Sequence, residues 1–182
     1  MQVLETKLEG PILIEPEVFG DHRGFFVETF RADQWAAAGI HETFVQDNHS
    51  RSGCGTLRGI HFQLAPGQAK LVRCARGTIL DVLVDLRRDS PTFGEWESFE
   101  LDDLAMRQLF VPIGFGHGFF VLSDVADVAY KCSSYYDPAI EAGIAYDDPD
   151  IGIVWPTGVE AIVSERDATA PRLADVADTL PF

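Results

Sequence analysis

An all-β fold, a sandwich or barrel carrying a few short helices, is what this sequence predicts. Apolar runs are short and recur along the chain, bounded by Gly, Pro, Asp and Ser, the punctuation of strands joined by turns. The clearest run, residues 78–86, alternates. Leu80, Val82, Val84 and Leu86 form an apolar set, and Ile79, Asp81, Leu83 and Asp85 a mixed one, which is the period of a pleated strand. Helical patterning is confined to one short piece and the tail.

Residues 11–16 read as a strand. Residues 24–30 read as another, after the turn signal Gly20-Asp21. Residues 32–38 are the best helical piece, with Gly39 as its stop. Residues 71–75 and 78–86 flank Arg76-Gly77, expected to be a hairpin turn. Residues 108–112, 118–122 and 126–133 continue the strands, and the tail from Ser164 has room for a short helix. There is no internal repeat, low-complexity tract or linker. The 182 residues are expected to form one domain, 1–182, with a sizeable core.

Charge narrows the partners. Against 14 Lys+Arg stand 29 Asp+Glu, a formal charge of -15. Nucleic acid and anionic membrane both require a broad basic surface, so neither is expected. An anionic small molecule is compatible if a few Arg and Lys converge in one pocket. Local contacts must then hold it, because the long-range field opposes its arrival. Cys54, Cys74 and Cys132 are odd in number and lack metal spacing, which suits a reduced, cytoplasmic protein. The opening residues lack the basic and apolar segments of a signal peptide, and no apolar stretch is long enough to span a bilayer.

The chemistry concentrates in Gly55-Thr56-Leu57-Arg58-Gly59-Ile60-His61-Phe62-Gln63, followed by Lys70. His61 is the leading candidate base, since imidazole titrates near neutrality. A lone histidine is more often packing or surface, but this one has Arg58 and Lys70 for company. Strict alternation puts Arg58 and His61 on opposite faces, so a bulge or sharp twist at Gly59 is required to unite them.

Pro112-Ile113-Gly114-Phe115-Gly116-His117 fits the second cupin motif. The first would put His61, Gln63 and Gln68 at metal-ligand positions, and an imidazole with two amides is a poor transition-metal site. The expectation is a cupin-like jelly roll that has lost its metal. His117 reads equally as a turn residue capping backbone groups or as a direct participant. Lys70 and Tyr130 are ordinarily a solvated lysine and a packed tyrosine. If both face the lumen, the lysine stabilises developing negative charge and the tyrosine donates a proton. Asp81 joins them, or is solvated or paired with an arginine. Asp167, in Ser164-Glu165-Arg166-Asp167, reads by pattern as a surface carboxylate, although a base histidine does need an orienting partner.

Taken together, the ordered blocks resemble the dTDP-4-dehydrorhamnose 3,5-epimerase family from about residue 3 to residue 171. They include Phe19-Gly20-Asp21-His22-Arg23-Gly24-Phe25-Phe26-Val27-Glu28, Phe44-Val45-Gln46-Asp47-Asn48-His49-Ser50 and Leu57-Arg58-Gly59-Ile60-His61-Phe62-Gln63. Lys70-Leu71-Val72-Arg73, Asp89-Ser90-Pro91-Thr92-Phe93-Gly94, Tyr130-Lys131 and Asp148-Pro149-Asp150-Ile151-Gly152-Ile153-Val154-Trp155-Pro156 complete the set. The resemblance implies a jelly-roll homodimer that inverts C3 and C5 of dTDP-4-dehydro-6-deoxy-glucose through an enolate, without metal or cofactor. It implies His61 as base, Asp167 as its orienting carboxylate, Tyr130 as acid and Lys70 beside the C4 oxygen. Arg23, Phe26 and Glu28 would reach the nucleotide from the partner subunit. Gln46, Asn48, Arg58, His117, Glu141 and Arg166 match further substrate contacts; at Arg166 the family often has lysine, which keeps the charge and changes the geometry.

The same parts also suit a mono-epimerase inverting C3 alone in a natural-product pathway. A non-catalytic sugar-nucleotide-binding cupin would have no need of both an acid and a base. A metal-dependent cupin oxygenase is disfavoured by Gln63 at a ligand position.

Overall fold

The computed structural model describes residues 1–182. Strands come in the order β1 (Gln2–Leu4), β2 (Ile12–Glu15), β3 (Val18–Asp21) and β4 (Gly24–Val27), then helix α1 (Ala32–Ala37). β5 (Gln46–Gly53), β6 (Leu57–Gln63), β7 (Lys70–Arg76), β8 (Thr78–Asp85) and β9 (Trp96–Asp102) follow. β10 (Gln108–Val111), β11 (Phe115–Val121), β12 (Val125–Cys132) and β13 (Glu141–Gly143) precede helices α2 (Glu165–Ala168) and α3 (Leu173–Val176). A six-stranded sheet runs β1-β2-β10-β7-β12-β5, and a five-stranded sheet runs β13-β6-β11-β8-β9. Every pairing within them is antiparallel. This is the cupin-like jelly roll expected, with the strands at residues 11–16, 24–30, 108–112, 118–122 and 126–133 present within a few residues.

One expectation fails. Arg76-Gly77 is not a hairpin turn, because β7 and β8 lie in different sheets. It is a corner where the chain crosses between them. A Cβ at Gly77 would fall 2.2 Å from the Val125 carbonyl oxygen, so only glycine fits this corner at its φ of +79°.

Both faces of β8 are buried, so the mixed set carries its apolar members Ile79 and Leu83, and its two aspartates, inside the protein along with the apolar set. Ile79 and Leu83 join Val72, Leu109, Phe119 and Val128 in the core between the sheets. Val82, Val84 and Leu86 face outward under the tail, packing with Ile60, Phe62, Ile144, Leu173 and Leu180. The outer face of the six-stranded sheet is covered by α1, whose Trp35 packs on Ile14, Leu71 and Phe110. The tail therefore has a definite task. It crosses the five-stranded sheet, and on the way α2 comes to rest against β6 at one end of the lumen.

Candidate active site

β6 needs the distortion that alternation demanded, and has it. His61 pairs with His117 on β11, while Arg58 pairs with Phe119. Three steps on β6 thus match two on β11, a β-bulge at Gly59. Gly59 has φ +138°, and a Cβ there would lie 2.5 Å from the Cα of Gly118. The extra residue turns Arg58 and His61 to the same side, where both line a cavity of about 630 Å³, well within the range of small-ligand sites.

Lys70, His117, Tyr130, Glu141, Arg166 and Asp167 line the same cavity. His61 and His117 come from the five-stranded sheet, and Lys70 and Tyr130 from the six-stranded one. Asp167 is not a surface carboxylate. It is 4% exposed, and its Oδ1 lies 2.6 Å from Nε2 of His61, 106 residues earlier in sequence. Ser164 caps α2 by accepting from the Asp167 backbone N–H at 3.1 Å, so the carboxylate is held by the turn that carries it. His117 is no turn residue either: it sits within β11, 8% exposed, with Nε2 3.0 Å from the fully buried Asp81.

The electrostatics differ by wall. Burial lowers the His61 pKa; Asp167 pulls it back up, and Lys70 and Arg166 push it down again. The net effect keeps the imidazole neutral, as a base must be at pH 7. Burial raises the Tyr130 pKa, keeping its phenol protonated. Burial lowers the Lys70 pKa, with nearby acidic groups opposing it. Arg58 donates from Nε to Ser52 Oγ at 3.1 Å, leaving the rest of its guanidinium toward the cavity.

At the mouth, Arg166 donates to Glu141 at 2.6 Å, and the Tyr136 hydroxyl donates to the same carboxylate oxygen. Burial would raise the Glu141 pKa, but these two hydrogen bonds outweigh it and hold it low. The Tyr136 backbone N–H donates to Gln46 Oε1 at 2.9 Å, and Gln46 donates to Asn48 Oδ1 at 3.0 Å. Gln46 and Asn48 therefore shape the rim through Tyr136 and β12 rather than lining the cavity wall. Tyr136 escaped the sequence reading. Its only signal is an exposed aromatic in the loop after β12, 50% accessible.

Arg23, Phe26 and Glu28 are not brought to this cavity within one chain. Arg23 is engaged by Asp21 and, with Phe26, lines a separate hollow on the β3–β4 hairpin. Glu28 lines another hollow beside Trp35.

Known proteins resemble this chain in sequence and in overall fold. The family model for dTDP-4-dehydrorhamnose 3,5-epimerase matches residues 5–175. The chain is 51% identical over 166 residues to the dTDP-4-dehydrorhamnose 3,5-epimerase of Methanothermobacter thermautotrophicus, covering 90% of each. It superposes with a TM-score of 0.95 on the crystal structure of the Legionella pneumophila dTDP-6-deoxy-D-glucose-3,5-epimerase in complex with dTDP-4-keto-L-rhamnose. That match has 46% identity and covers 99% of this chain and 97% of the other. A dTDP-4-dehydrorhamnose 3-epimerase of Streptomyces niveus is 44% identical over 180 residues, covering 98% of this chain and 86% of that one. The chain belongs to the dTDP-4-dehydrorhamnose 3,5-epimerase family.

Proposed function

We propose that this protein epimerises dTDP-4-dehydro-6-deoxy-glucose at C3 and C5, giving dTDP-4-dehydro-rhamnose. The observation that carries the reading is a base and an acid facing each other from opposite sheets of one cavity: His61 with Asp167 on one side, Tyr130 on the other. Inversion at carbon needs that arrangement, because the proton leaves one face of the sugar and returns to the other.

The 4-keto group acidifies the hydrogens on C3 and C5, since either carbanion delocalises onto the C4 oxygen as an enolate. His61 takes the proton, and Asp167 orients the ring and stabilises the imidazolium that forms. Lys70 meets the charge growing on the C4 oxygen. Tyr130 protonates the carbon from the opposite face. A second cycle at the other carbon completes the conversion. Each inversion breaks one C–H bond and forms another while His61 gains a proton and Tyr130 loses one; proton exchange with solvent resets the pair before the second cycle, so these side chains and water suffice as reactants. Arg58, and Arg23 brought from a second copy of the chain, supply cations for the diphosphate, which accounts for an anionic substrate on a chain of charge -15.

The working unit is a homodimer in this reading. The β3–β4 hairpin pairs with neither main sheet and exposes Phe19, Phe25 and Phe26 at 53%, 61% and 64%, an apolar surface that a partner would cover. Arg23, Phe26 and Glu28 would then enter the neighbouring cavity. The substrate is a small molecule, and the chain has no helix long and apolar enough to cross a membrane.

Incubation with dTDP-4-dehydro-6-deoxy-glucose and a reductase that traps the rhamno-configured ketone tests the reading. Formation of dTDP-rhamnose is expected. A product inverted at C3 alone would assign a mono-epimerase, as the Streptomyces niveus relative is named. Binding without turnover would leave a sugar-nucleotide-binding protein.

A further inference from the structure

Two aspartates stand four residues apart on β8, and they are treated very differently. Asp85 is fully buried, and both of its oxygens are bonded, to Arg87, Ser90 and Thr92. It locks the loop that follows β8. Asp81 is equally buried, yet its Oδ2 meets only His117 Nε2, at 3.0 Å, and its Oδ1 has no partner at all. An unsatisfied buried carboxylate oxygen is costly. A purely structural role would be better served by a satisfied group such as Asp85 or by an apolar residue of similar size.

What surrounds Asp81 indicates its use. His117 lines the cavity, and its other ring nitrogen, Nδ1, has no partner within the chain. Lys70 lines the same cavity from the facing sheet and is hydrogen-bonded to no carboxylate, and the charge of Asp81 is among those that favour its protonated form against burial. One carboxylate thus stands behind two potential donors from two sheets.

We infer that Asp81 is a positioning residue: it fixes the His117 ring through Nε2 and supplies the negative charge that balances His117 and Lys70 while both donate to one substrate oxygen. The inference rests on the epimerase reading and refines it, placing that oxygen at the carbonyl carbon where the enolate charge collects. With Nε2 directed to Asp81, a proton carried on Nδ1 makes a cationic ring, and the carboxylate neutralises it without touching the substrate. Asp81 would therefore leave ground-state binding alone and act on the transition state.

Asp81→Asn separates the two parts of this role, since the amide oxygen still accepts from Nε2 while the charge is gone. Turnover of dTDP-4-dehydro-6-deoxy-glucose, solvent deuterium exchange at C3, dTDP affinity and thermal unfolding are measured together. A fall in kcat of roughly 10- to 100-fold is expected, as for other groups that act through a neighbour, with KM and dTDP affinity within about threefold. His117→Ala combined with Asp81→Asn should lose less than the product of the two single losses, because part of the Asp81 effect runs through His117 and only the rest through Lys70. Wild-type kcat in Asp81→Asn, or multiplicative losses in the double variant, would overturn the inference. Asp81→Ser, smaller and neutral, is the second variant should the asparagine disturb folding; it must show the same kcat loss with KM preserved. If the wild-type protein exchanges neither C3 nor C5, the epimerase reading itself falls, and this refinement falls with it.

Discussion

Replacing Gly59 with alanine tests whether the bulge in β6 builds the site. Two costs add. The residue has φ +138°, a region nearly closed to residues with a Cβ, worth about 1–3 kcal/mol. The new methyl would also lie 2.5 Å from Gly118 Cα and 3.1 Å from the His117 carbonyl oxygen. Both are backbone atoms of the adjacent strand, so nothing flexible can give way, and overpacking adds about 1–3 kcal/mol. The expected loss is roughly 2–6 kcal/mol out of a stability of about 5–15 kcal/mol. Gly158→Ala isolates the first cost, since Gly158 has φ +91° with nothing within 4 Å of its Cβ position. Urea unfolding of both variants gives the difference directly. Whatever fraction folds should also turn over about 100-fold more slowly, because separating β6 from β11 displaces His61 by a fraction of its reach. If Gly59→Ala loses no more stability than Gly158→Ala, the close approach of β6 to β11 is not what seats Arg58 and His61 together.

His61→Ala should abolish exchange at both carbons while dTDP binding, followed by calorimetry, stays largely intact; substantial residual turnover would remove His61 as base. Because burial lowers the His61 pKa in the free protein, kcat/KM should hold through pH 7 and decline only below the ordinary imidazole value of about 6.5. Asp167 raises that pKa, so Asp167→Asn should move the acid limb to lower pH while reducing kcat. A limb moving upward contradicts the assignment. Burial would raise the Asp85 pKa, but its bonds to Arg87, Ser90 and Thr92 hold it at about 2. Against an ordinary value of about 3.9, this contributes roughly 2–3 kcal/mol. That stability is complete above pH 4 and is lost as pH falls toward 2, so acid unfolding of Asp85→Asn should be flatter across that window.

The parts of the fold that obey a local rule were readable in advance. Alternation in residues 78–86 marked β8, and Gly39, at φ +99°, ends α1 as its type suggests. The conflict between strand period and a shared pocket for Arg58 and His61 pointed to Gly59 before any coordinates. Arg76-Gly77 was misread because a glycine corner between sheets and a glycine hairpin turn share one local signature. They differ only in which strands lie alongside, and that is settled by the whole sheet order. β5 carries Gln46, Asn48 and Ser50 toward one face and Asp47, His49 and Arg51 toward the other, so it has no apolar alternation to betray a strand. Asp167 could not be found by pattern, because its partner lies 106 residues away and the tail that delivers it is shaped by packing on Ile60 and Phe62. Only family resemblance implies a role for it, and the structure places its carboxylate 2.6 Å from the His61 ring. The Asp81–His117 pair shows the reverse case: alternation put Asp81 on the mixed face of β8, but only the register with β11 shows what it faces.

The central claim, a base and an acid on opposite faces of one sugar, is tested most directly by NMR of dTDP-4-dehydro-6-deoxy-glucose in heavy water with the wild type and with Tyr130→Phe. The wild type should place deuterium at C3 and C5 with inversion at both. Tyr130→Phe should still exchange the proton removed by His61 but return it to the face it left, so that label outpaces inversion. Equal loss of exchange and inversion in Tyr130→Phe, or inversion at an undiminished rate, would contradict the two-sided mechanism.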